Sequence, residues 1–121
     1  MVAKNLEVIM LFDIYGEMLT EKQRDFITYY YDDDLSLAEI AENEGITRQG
    51  VRDAIKRAEF QLFEFESHLG LKKRLEETKA GLAEIIEQCE IIKEINMNTV
   101  LSRDINDAVT RINTLAQMLS E

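Results

Sequence analysis

The stretch Leu35-Ser-Leu-Ala-Glu-Ile-Ala-Glu-Asn-Glu-Gly-Ile-Thr-Arg-Gln-Gly-Val-Arg-Asp-Ala-Ile-Lys-Arg57 decides the fold. Its spacing predicts two helices joined by a tight turn. Ser36 has the character of an N-cap, and Glu39 three residues on completes a capping box, with Leu35 and Ile40 in hydrophobic-staple positions. Gly45 suits the left-handed position just past a helix end, where a side chain costs energy. Thr47 then caps the second helix, with Ile46 and Val51 as its staple pair. Ala41, Gly45 and Val51 put small or apolar residues where two such helices cross. This is the helix-turn-helix pattern, whose second helix normally enters the major groove of DNA. An αα-hairpin inside a helical bundle would satisfy the same spacing without touching nucleic acid.

The rest of the composition agrees with an all-helical chain. There is no proline in 121 residues, where average usage gives about six, and hydrophobic residues make up 45%, enough for a core. No apolar run approaches the ~20 residues that span a bilayer, so no membrane insertion is expected. The opening from Met1 to Glu7 has no leader-type apolar region, and the single cysteine, Cys89, suits a reducing compartment. A cytoplasmic protein is expected.

The net charge of −10 argues against a protein that coats nucleic acid without regard to sequence. The charge is segregated, however. Between Thr47 and Ala58 stand Arg48, Arg52, Lys56 and Arg57 against Asp53 alone, a local excess of +3. The acid lies elsewhere, in Asp32 to Asp34 and along the C-terminal half.

Upstream of the motif, Asn5 caps an expected first helix through Leu6, Ile9, Met10, Phe12, Ile14, Tyr15 and Met18. That face is broad enough to predict burial against several neighbours. Thr20 and Gln23 form a second capping box, opening a helix through Phe26, Ile27 and Tyr30. Of Tyr29, Tyr30 and Tyr31, one or two rings are expected in the core. Asp32, Asp33 and Asp34 read as a solvated loop, since adjacent carboxylates do not converge on a metal. No metal is expected.

Downstream, Val51, Ile55, Ala58, Leu62, Phe65 and Leu69 form one apolar stripe, with Phe60 and Phe63 on another face. Such a helix should be packed on two sides. Gly70 ends it after His68, the only histidine, which is read as structural. From Leu71 the seam Leu71, Leu75, Thr78, Leu82, Ile85, Cys89, Ile92, Asn96 alternates four and three, as in a coiled coil. Asn96 to Asn98 is expected to turn the chain, and Leu101, Ile105, Ala108, Ile112, Leu115 and Leu119 repeat the seam. Two heptad helices with a short connection predict an antiparallel hairpin. It should either dock on the Phe60–Leu69 region or pair with a second copy, most simply as a homodimer. Leu75, Leu82, Ile85, Ile92, Ile105, Ile112 and Leu115 are its candidate oligomerisation residues. The expected division is a head at residues 1–70 and a tail at 71–121.

Three blocks carry a family resemblance: Leu19-Thr-Glu-Lys-Gln-Arg24, Leu35 to Ala41, and Ile46-Thr-Arg-Gln-Gly-Val-Arg52. Together they resemble the C-terminal promoter-reading domain of bacterial sigma factors. With Leu11-Phe-Asp-Ile-Tyr-Gly16 and Ile55-Lys-Arg57 added, residues 5 to 75 are similar to the YlxM-type helix-turn-helix proteins. The resemblance implies a small cytoplasmic regulator connected with the signal recognition particle pathway. It also implies that Arg48, Gln49 and Arg52 face bases or phosphates. The heptad tail and Gly50, in the first turn of the recognition helix, depart from the sigma pattern.

From the residues themselves, Arg48 and Arg52 are suited to guanine and Gln49 to adenine. Lys22, Lys56 and Arg57 are suited to grip phosphates of double-stranded DNA. The chain offers no Gly-rich phosphate loop, no His/Cys metal spacing and no nucleophile with a base, so neither a cofactor nor catalysis is expected. The alternative is an acidic adaptor of the protein-targeting machinery, a possible partner of a signal recognition particle component, with the helix-turn-helix as scaffold only.

Overall fold

The computed structural model describes residues 4–121; Met1 to Ala3, part of the opening read for a leader, lie outside the described residues. It is all-α, 86% helical, with six α-helices and no strand among the described residues. Two compact units follow one another, Met1–Lys72 and Lys73–Glu121.

In the first unit, α1 (Leu6–Tyr15) starts at Asn5, whose side chain accepts from the Glu7 amide, and runs into a 3-10 turn at Gly16–Met18. The Thr20–Gln23 capping box opens α2 (Glu21–Ile27), which widens into a π turn over Thr28–Asp32. The Ser36–Glu39 box opens α3 (Leu37–Glu44). Gly45 takes the left-handed conformation, φ 68°, and Thr47 caps α4 (Arg48–Leu69) through the Gly50 amide. Each of these starts forms where a side-chain oxygen meets an amide that the helix itself leaves unpaired.

The long helix α4 is the organiser of this unit, packing against α1, α2 and α3. Its buried row is Val51, Ile55, Ala58 and Leu62. Val8, Leu11 and Tyr15 of α1, Leu19 just before α2, Phe26 and Ile27 of α2, Tyr30, and Ile40 and Ala41 of α3 complete the core. Of the three adjacent tyrosines, Tyr30 is buried and Tyr29 and Tyr31 pack at its edge. Two expectations of wider burial fail. In α1, Leu6, Ile9 and Met10, and Met18 beyond it, are exposed, because three inward residues of a ten-residue helix suffice to cover its contact with α4. On α4, Phe60 is 65% exposed and Phe63 is exposed too, so the helix buries one row rather than two.

α5 (Leu71–Asn98) begins in the last two residues of the first unit, and from Lys73 on it forms with α6 (Arg103–Ser120) the hairpin of the second unit. The turn is not at Asn96–Asn98, as the sequence suggests, because α5 continues through them and the chain reverses over 99–102. Asn96 is buried instead. Its Nδ2 donates to the Ser102 carbonyl (2.8 Å), and its Oδ1 accepts from the Ser102 amide (3.0 Å). The inner seam of α6 is also displaced from the expected one. Val109, Asn113 and Ala116 are buried, whereas Ile105, Ile112, Leu115 and Leu119 are exposed. Asn113 is tolerated inside because it donates to Glu90 Oε1 (3.0 Å) and accepts from Gln117 Nε2 (2.6 Å). On α5, Cys89 is buried as expected, but Leu75, Ile85 and Ile92 are exposed. No described helix is long and apolar enough to cross a membrane.

Candidate nucleic-acid interface

The N-termini of α3 and α4 open onto one concavity of about 700 Å³. Ser36, Leu37 and Ala38 line it from α3 and its cap; Thr47, Arg48, Gln49 and Arg52 line it from α4 and its cap. Tyr30 forms part of the lining. The placement follows from local chemistry. Ser36 and Thr47 spend their hydroxyls on the Glu39 and Gly50 amides (3.1 and 3.0 Å), which fixes where each helix begins. Both beginnings carry the positive end of a helix dipole. Exposed Arg48 and half-buried Arg52 lie one turn apart on α4, on one side of the helix, and both line the concavity. An electropositive concavity with two arginines and an amide suits a strongly anionic, hydrogen-bonding ligand.

Gln49 is already oriented, its Nε2 donating to Asp53 Oδ1 one turn on (3.0 Å). This leaves its carbonyl oxygen as the unconstrained end. Arg48, Gln49 and Arg52 all line the concavity. Lys56 and Arg57 are exposed on the next turn of α4 and do not line the concavity. Lys22 stands apart from it and is engaged, its Nζ 2.5 Å from Glu44 Oε2. The Glu44 hydrogen bond and charge hold the Lys22 ammonium above the usual lysine range. Among the described residues no cluster of histidine, cysteine or carboxylate side chains has the arrangement to hold a metal.

The concavity lies on the helix-turn-helix that the caps and Gly45 build, and comparison with known proteins agrees. Residues 2–102 match the profile of a family described as "Putative helix-turn-helix protein, YlxM / p13 like". The chain belongs to the UPF0122 family. A UPF0122 protein of Thermoanaerobacter sp. is 42% identical over 110 residues, covering 91% of this chain and 94% of its own. One from Clostridium kluyveri is 47% identical over 87 residues, 69% of this chain and 78% of the relative. A third, from Clostridium botulinum, is 52% identical over 69 residues, 57% of this chain and 63% of the relative.

Membership in the UPF0122 family agrees with the motif that the structure builds from α3, the Gly45 turn and α4. Sequence reasoning named the α4 side of the concavity but not Tyr30, Leu37 and Ala38, which share it. Their signal was indirect: the caps at Ser36 and Thr47 locate two helix starts, but only the crossing of α3 and α4 brings the starts together.

Proposed function

We propose that this UPF0122 protein is a DNA-binding regulator that reads double-stranded DNA through α4, acts as a cytoplasmic homodimer and carries out no catalysis. The observation that supports the reading most is the convergence of Arg48, Gln49 and Arg52 with two helix N-termini on one open concavity. Arg48 and Arg52 pair with guanine, and Gln49, steadied by Asp53, with adenine. Lys56 and Arg57 hold flanking phosphates, joined by Lys22 when it leaves Glu44. No cofactor enters this function. The tail, residues 71–121, joins two reading heads, residues 1–70, so that two half-sites are read together.

Selection from random double-stranded DNA by the full chain tests this. A recovered consensus that is lost in Arg48→Ala and Arg52→Ala, each still folded, supports the reader. Each lost arginine–guanine pair should cost about 1–3 kcal/mol of discrimination. No enrichment by the wild-type chain would leave the second reading, an acidic adaptor for a signal recognition particle component. The net charge of −10 and the exposed isoleucines of the tail favour that alternative.

A further inference from the structure

The hairpin closes on its smaller side. Its buried seam holds Cys89, Asn96, Val109, Asn113 and Ala116, while Leu75, Ile85 and Ile92 of α5 and Ile105, Ile112, Leu115 and Leu119 of α6 stay exposed. These outer residues are not scattered. Ile85 and Ile92 of α5 and Ile112 of α6 line one groove of about 310 Å³ that ends at Gly81. A Cβ placed on Gly81 would meet nothing within 4 Å, so the groove is open to a closely approaching helix there.

We propose that this groove is covered by the same face of a second copy, giving a four-helix bundle in which the two α5 helices run antiparallel. The charge along α5 names the occupant and its direction. Residues 71–80 carry Lys72, Lys73, Arg74 and Lys79 against Glu76 and Glu77, a balance of +2. Residues 84–94 carry Glu84, Glu87, Glu90 and Glu94 against Lys93, a balance of −3. An antiparallel copy sets the basic third of each helix against the acidic half of the other; a parallel copy sets like against like. The apolar stripe of α5 has the matching symmetry, because exposed Leu75 and Ile92, and half-buried Leu82 with exposed Ile85, are paired symmetrically about a point between residues 83 and 84. The size fits as well. The two helices contribute 28 and 18 residues, and one face of the pair is roughly the 20–30 residues a side of a standard interface. This deepens the homodimer of the proposed function and is independent of whether DNA is bound.

Sedimentation equilibrium of the full chain at tens of micromolar, without DNA, should return twice the 14.0 kDa chain mass. Ile85→Glu and Ile112→Glu should each return the single mass with helical circular dichroism intact, while Phe60→Glu on the head stays dimeric. Gly81→Leu separates interface from folding. In an unpaired tail leucine only improves the helix, whereas in the bundle it fills the groove and should weaken association at least tenfold. In a Cys89→Ala background, Glu84→Cys near the helix midpoint should cross-link to its partner's equivalent on oxidation, and Glu77→Cys should not. A monomeric wild type, a dimer that survives both isoleucine variants, or unchanged association in Gly81→Leu overturns the interface. Self-cross-linking at position 77 overturns the antiparallel arrangement.

Discussion

Tyr15, fully buried in α1, donates its phenol hydrogen bond to Glu66 Oε1 at 2.6 Å, across 51 residues of sequence. The same phenol oxygen accepts from the Leu71 amide (3.0 Å), and Glu66 Oε1 accepts from the Lys72 amide (3.0 Å). Two of the amides that begin α5 are therefore capped by residues of α1 and α4 rather than by a neighbour in the chain. This matters because Gly70, in the left-handed conformation between α4 and α5, offers no side chain to do it. Tyr15→Phe keeps the ring against Phe65 but removes both hydrogen bonds. A buried hydrogen bond to a charged acceptor contributes about 1.5–3 kcal/mol, and the urea midpoint of the variant should fall accordingly. An unchanged midpoint would mean that this junction does not hold the fold together.

The same phenol predicts how stability depends on pH. Burial first, then the Glu66 carboxylate, raises the Tyr15 pKa above its ordinary 10.0, and burial with Glu59 raises that of Tyr31 further. The folded state thus keeps protons that the unfolded chain gives up. Stability from these groups is complete below about pH 10 and is lost as pH climbs toward the folded values. Urea midpoints should be level between pH 7 and 9 and decline above 10. The decline should be shallower in Tyr15→Phe and in Tyr31→Phe than in the wild type.

Gly50 offers a third test. Its amide is the one that Thr47 Oγ1 caps, and a Cβ there would stand 3.2 Å from that same oxygen. Glycine within an open helix costs roughly 1 kcal/mol relative to alanine. Here that gain is offset by crowding the cap. Gly50→Ala should therefore leave thermal stability nearly level instead of raising it, and a gain of the full amount would show that Thr47 moves aside freely.

What the sequence discloses about this molecule is mostly local. The boxes at Thr20–Gln23 and Ser36–Glu39, the Thr47 cap and the Gly45 turn depend on residues within four positions of each other, and each forms as read. The buried row of α4 was legible because its other faces are polar or charged at most positions. The α6 seam was not, since two adjacent rows are both compatible with a heptad. Period alone favours the row of isoleucine and leucine, whereas the row that α6 buries is Val109, Asn113 and Ala116, with Asn113 bonded to Glu90 of α5. Three contacts that shape the first unit, Tyr15–Glu66, Tyr31–Glu59 and Lys22–Glu44, join residues 22 or more apart and leave no local signature. At the candidate interface, the basic cluster on α4 was visible, and the concavity that gathers part of it was not.

The hairpin turn carries a pair of substitutions with opposite expected signs. Asn96 holds the turn by exchanging two hydrogen bonds with the Ser102 backbone, and its own carbonyl accepts from the Leu101 amide (2.8 Å). Only the first two depend on its side chain. Asn96→Ala removes them and leaves Ser102, the cap of α6, unheld, at a cost of about 1–3 kcal/mol. Leu101 has the opposite character. It sits at φ 55°, the left-handed region, with 72% of its surface exposed. A branched side chain pays about 1–2 kcal/mol there and gains little packing. Leu101→Gly removes that strain but adds freedom to the unfolded chain, worth about 0.5–1 kcal/mol in the other direction. The balance is a stabilisation of up to about 1.5 kcal/mol, and Leu101→Asn, which tolerates the left-handed region, should follow in the same direction. Thermal unfolding followed at 222 nm should place Asn96→Ala below the wild type and Leu101→Gly above it. A Leu101→Gly variant less stable than the wild type would show that this leucine is held by contacts worth more than its backbone strain.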